Sequence, residues 1–215
     1  MPTRRARREV LGLTRSEFAT LRRLDTPQRI QLFVNALPSN HELGGETLLS
    51  VRSVLANRRA HCMEAAMLAA CALWIHGEPP MLMHLGCESS DYPHVVALFR
   101  RGRQWGAISK SNGIALRHRD PVYCCLRELA MSYFHEYADN AGRRTLRSYS
   151  LPFDLRRIGT DQWVTAEGNC WQAHGRVEGA RHYRLIGPAT ARGLSRRDRF
   201  ERENAKSVEH PRPLA

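Results

Sequence analysis

Lysine is nearly missing from this chain. Lys110 and Lys206 are its only two, and the other 31 basic residues are arginine. Such a skew reads as coding bias as readily as phosphate binding. No apolar run approaches the roughly 20 residues that cross a bilayer, so no membrane contact is expected. The Arg-rich residues 1–9 are followed by no apolar segment, so no secretion signal is read. Regular cysteine spacing is missing as well. Cysteines 62, 71, 87, 124, 125 and 170 fit neither a disulfide framework nor a zinc pattern, with or without His84 and His94. They are read as reduced thiols of a soluble, cytoplasmic protein. No metal and no cofactor are expected.

What is present is a foldable core. Hydrophobic residues make up 42% of 215, enough for one domain with tails. The expected layout is a basic arm over 1–12, a domain over 13–187 and a basic, unstructured tail over 188–215. The net charge is +12, with much of the arginine in the two ends. Such tails attract acidic proteins, or nucleic acid non-specifically at low salt.

The pattern predicts helices first. Thr14 with Glu17 forms a capping box, and Thr26-Pro27 opens a second helix that Pro38 ends. A third short helix is expected over 47–55. Residues 60–77 then form a helix apolar on nearly every face, stopped by Gly77 and Pro79-Pro80. Strands follow at 81–85, 93–100 and 105–109, the last two forming an antiparallel hairpin. Its short turn sets Arg100 near Trp105 and Ala97 near Ile108. Asp120-Pro121 is expected to open another helix, carrying Cys124 and Cys125 and packing Tyr133 and Tyr137. Residues 163–165 and 182–186 are read as further strands.

Chemistry concentrates at the start of the apolar helix. Unpaired N–H groups and the macrodipole favour a thiolate there, so Cys62 is the candidate nucleophile. His94 opens the strongest strand and is the candidate base. His61 is taken for a loop residue, and Glu64 is expected to face away from Cys62. Asn57, a few residues upstream, is the candidate oxyanion donor. The hairpin brings residues 109–112 close to His94.

At these residues the chain resembles the transglutaminase-like domains, which share the papain-like cysteine-protease fold. The resemblance covers about 45–115. It rests on Cys62 opening its Ala-rich helix, on Asp91-Tyr92-Pro93-His94-Val95-Val96-Ala97-Leu98, and on Gly102-Arg103-Gln104-Trp105-Gly106-Ala107-Ile108-Ser109. It implies an α+β fold: N-terminal helices, with the cysteine-bearing helix packed on an antiparallel sheet. It also implies Cys62 as nucleophile and His94 as base, oriented by an aspartate four residues after a tryptophan. Here that position is Ser109. Asn112 and Asp91 are the other candidates to orient the ring. The implied reaction is acyl transfer from a peptide or protein amide through a thioester, with hydrolysis preferred over transamidation. The alternative is a catalytically degenerate scaffold that binds an acidic partner.

Overall fold

The computed structural model describes residues 5–213. Residues 1–4 of the expected arm and 214–215 of the expected tail lie outside the described residues. Helix starts follow local chemistry, since a side-chain acceptor at the cap satisfies a first-turn N–H. α1 (Arg8–Leu11) is short, and Gly12 closes it at φ 64°. α2 (Arg15–Arg22) starts from the Thr14–Glu17 capping box. α3 (Pro27–Ala36) starts from Thr26, with Pro27 in the first turn. α4 is Val51–Asn57, capped by Ser50, and so begins later than the spacing predicted. Residues 47–49 are held out of the helix by other duties. The Leu49 N–H donates to Glu64 and the Thr47 carbonyl faces His61.

α5 (Cys62–Ile75) is buried at every position from Met63 onward. The strands β1 (Met81–Cys87), β2 (His94–Arg101), β3 (Gln104–Ile108) and β4 (Arg119–Tyr123) follow, then α6 (Leu126–Met131). After these come β5 (Leu146–Ser150), β6 (Phe153–Asp154), α7 (Trp171–Glu178), β7 (His182–Arg184), α8 (Pro188–Arg192) and α9 (Arg199–Asn204). The strands form one antiparallel sheet in the order β4-β3-β2-β1-β5-β7, with β6 also paired to β1. Hence the fold is α+β. Among the described residues no helix is long and apolar enough to cross a membrane.

The hairpin register is the expected one, with Ala97 opposite Ile108 and Arg100 opposite Trp105. Strand alternation sorts β2 between two cores. Val95, Ala97 and Phe99 join the core around α5, while Val96 and Leu98 join Leu129, Tyr133 and Tyr137 on the other face. A strand buried on both faces reads as an unbroken apolar run.

Three expectations are corrected. Asp120-Pro121 lies in β4, not at a helix start, and Cys124-Cys125 fall between that strand and α6. β4 is an edge strand, where a proline's missing N–H breaks no ladder bond. Residues 163–165 form no strand. The Trp163 and Val164 carbonyls accept the first N–H groups of α4, and the Trp163 ring stacks on Trp74 at 6.4 Å. The arginine-rich C-terminal segment carries α8 and α9. Neither has a buried residue, yet polar bonds fix the segment. Asp198 and Glu201 cap α9, Arg144 pairs with Glu201, and His210 bonds Asn112.

Leu68→Ala should cost about 2–5 kcal/mol of stability, because α5 has no solvent side toward which a cavity can relax. Leu32→Ala, at a residue 68% exposed, should change it by less than about 0.5 kcal/mol. Urea unfolding of both variants tests the difference.

Candidate active site

The site is built on the first turn of α5. His61 is its N-cap: the Nδ1 atom accepts from the Met63 N–H at 3.3 Å. Glu64 answers with its carboxylate, which accepts from the His61 N–H at 2.8 Å. The reciprocal box leaves Cys62 as the first helical residue, half-buried. Glu64 is fully buried and takes further bonds from the Leu49 N–H and Asn40 Nδ2. Burial pushes its carboxyl up, against the pull of His61 and these donors.

His94 stands where β2 begins, opposite Leu85 of β1, and is 5% exposed. Its Nε2 lies 2.7 Å from Ser109 Oγ. The same oxygen lies 2.5 Å from the Leu116 carbonyl. A carbonyl only accepts, so the serine proton points at Leu116 and Ser109 must accept from His94. That puts the ring proton on Nε2 and leaves Nδ1 as the basic atom of the ring, with His94 close enough to Cys62 to draw its thiol down.

Ser109 is itself fixed. Gln31, buried on α3, clasps its backbone with both amide atoms, at 2.7 and 3.0 Å. Leu116 takes the left-handed conformation at φ 59°, costly for a branched residue. Its N–H donates to Glu136, which Arg119 pairs at 2.6 Å.

The thiols divide sharply. Burial alone pushes Cys71 up. Burial, helped by nearby carboxylates, pushes Cys87 to about 11 and Cys170 to about 12. At Cys62 burial acts the same way, but hydrogen bonds and charge from His61 and His94 win, and the thiol falls well below its ordinary range. His61 responds in kind. Burial opposes its second proton, yet the Cys62 sulfur and the Glu64 carboxylate lift the ring to about 9. Nε2 faces the Thr47 carbonyl, which only accepts, so Nε2 carries the ring proton and Nδ1 is left to take the Met63 N–H.

The other candidates are placed elsewhere. Asn112 bonds His210 twice, donating to its carbonyl and accepting its N–H, both at 2.9 Å. Asp91 accepts from Thr145 Oγ1 and from the Tyr92 N–H. Asn57 donates to the Ser53 carbonyl within its own helix. The structure thus brings together Cys62, His94 and Ser109, and adds His61, Gln31 and Leu116. The spacing of His61 and Glu64, three apart before an apolar run, is the signal that marks the cap. Gln31 and Leu116 carry no such signal.

Behind the dyad, buried His84 bonds His182 at 2.9 Å. His182 Nδ1 donates to the Ala180 carbonyl, so His84 Nδ1 is the donor of the pair. Among the described residues no three His, Cys, Asp or Glu side chains converge on a metal-ion position.

Two measurements follow. Burial, with the neighbouring histidines, lowers His84 to about 4. The unfolded chain takes up that proton near pH 6.5, so the unfolded state binds more protons between these values. Stability should therefore fall by about 3 kcal/mol as pH drops from 6.5 to 4 through this group. Urea titrations should show a smaller drop in His84→Gln. In Glu64→Gln an amide N–H meets the His61 or Leu49 N–H, and stability should fall by about 2 kcal/mol. Searches against protein-family models and against curated proteins found no match to this chain.

Proposed function

We propose that this protein is a transglutaminase-like cysteine enzyme that cleaves amides through a thioester on Cys62. The observation that carries the reading is the fixed tautomer of His94. Ser109, committed to Leu116 as a donor, accepts from Nε2 and leaves Nδ1 as the basic atom of the ring. His94 takes the Cys62 proton as sulfur attacks the amide carbon. The C–N bond breaks as His94 protonates the leaving amine. Water, deprotonated by the same ring, then releases the acyl group as a carboxylate and restores the thiol. The Cys62 N–H has no partner among the described residues. In this reading it replaces Asn57 as a donor to the oxyanion, beside the positive end of α5. His61 steadies the thiolate from the second side.

The serine favours one further reading. It brings no charge to stabilise the imidazolium, which fits a degenerate scaffold that binds and does not turn over.

The discriminating measurement is the pH dependence of Cys62 alkylation by iodoacetamide, read by mass spectrometry. Wild type should react selectively near pH 6. His94→Ala should slow that reaction by roughly tenfold or more, and Ser109→Ala should slow it less. Ser109→Asp should not improve on wild type, because its carboxylate faces the Leu116 carbonyl. Equal reaction of all six cysteines, unchanged by His94→Ala, would sink the enzyme reading.

A further inference from the structure

A cavity of about 600 Å³ opens between β1, β5, β7 and α8, with Cys87 of β1 in its wall. Six arginines line it: Arg143, Arg144, Arg147, Arg184, Arg192 and Arg196. Three are answered by carboxylates within the protein. Arg143 pairs with Asp139, Arg144 with Glu201 and Arg147 with Glu88, at 2.6–2.8 Å. Arg184, Arg192 and Arg196 have no carboxylate partner among the described residues. Arg144 is 7% exposed, and its buried Nε–H has no acceptor. Positive charge is therefore gathered here in excess of what the protein neutralises.

The rest of the lining identifies the class of ligand. Ile186, Pro188 and Leu194 are aliphatic, and no aromatic side chain offers a base a stacking surface. Guanidinium forks match carboxylates two bonds at a time. An aliphatic wall beside them suits the stems of Glu and Asp side chains. On β1, Cys87 of the cavity wall lies two residues beyond Leu85, which is paired with His94. Tyr137, packed in the same core as Cys87, donates to the carbonyl of Tyr92, two residues before His94.

We propose that this arginine-lined cavity binds acidic side chains of a peptide whose amide lies at Cys62, making the substrate an acidic peptide segment. The inference rests on the amide-cleaving reading of Cys62.

The test uses the full chain and a fluorescein-labelled hexaglutamate peptide, followed by anisotropy at fixed ionic strength. Arg184→Glu/Arg192→Glu/Arg196→Glu should weaken binding by roughly tenfold or more. Arg15→Glu/Arg22→Glu/Arg23→Glu removes the same charge from exposed positions on and beside α2. It should weaken binding by less than about threefold. Equal losses in the two variants would overturn the proposal, because the attraction would then belong to net charge alone. So would tighter binding of a single-stranded oligonucleotide of equal charge, lost in the same cavity variant. Wild-type Cys62 should be alkylated more slowly in the presence of hexaglutamate, and an unchanged rate would overturn the link to the thiol. Cys62→Ala should bind the peptide as wild type does. The cavity is thereby read separately from the chemistry: selective Cys62 alkylation with no cavity dependence sinks this proposal and spares the other.

Discussion

A helix without a polar face exists only where other elements cover every side of it. α5 is such a helix, and the fold is arranged around that demand. The sheet covers it with β1 and β2, and α2, α3 and α4 close the remaining sides. Burial removes water from the helix end too, and there the cost turns polar. The first-turn N–H groups and the capping carboxylate need partners inside the protein. Glu64 supplies them for His61, Leu49 and Asn40 at once. One carboxylate therefore ties the loop before α4 and the strand-like entry to α5 onto the same point. The thiol of Cys62 sits on that point.

The same geometry explains why one thiol differs from its neighbours. Desolvation raises every buried cysteine, and only a specific donor reverses it. Cys62 has two imidazoles, one from its own cap and one from the sheet. The sheet's imidazole is held by a neutral hydroxyl whose proton is fixed elsewhere. Orientation and charge are thus separated. Ser109 fixes the tautomer of His94, while the positive charge near sulfur comes from the rings and from the helix end. The left-handed turn at Leu116 belongs to this arrangement, because it presents the carbonyl that Ser109 needs.

Arginine is divided between two uses. Arg52, Arg119 and Arg144 tie distant segments together through Glu17, Glu136 and Glu201. Arg184, Arg192 and Arg196, in the wall of the cavity, are left without a carboxylate partner among the described residues. The lysine that matters is buried: Lys110 donates to the Val34 and Leu37 carbonyls at the end of α3. A compact ammonium at a helix C-terminus serves both carbonyls and the dipole.

Local chemistry made much of this legible in the sequence. Caps at Thr14 and Thr26, the all-apolar helix and the short hairpin turn each specify their own geometry within a few residues. So the start of α5 and the hairpin register that brings residues 109–112 near His94 follow from spacing, while the pairing of Cys62 with His94 is read from the family resemblance. Tertiary structure decided what depends on neighbours far along the chain. Pro121 is tolerated in a strand only because that strand is an edge. Residues 47–49 leave the helical pattern because Glu64 and His61 claim their backbone groups. Three residues offered a polar group to His94, and Ser109 meets it because Gln31, 78 residues away, clamps its backbone. Which group reaches a ring is set by packing across the sheet, and no run of neighbouring residues encodes that.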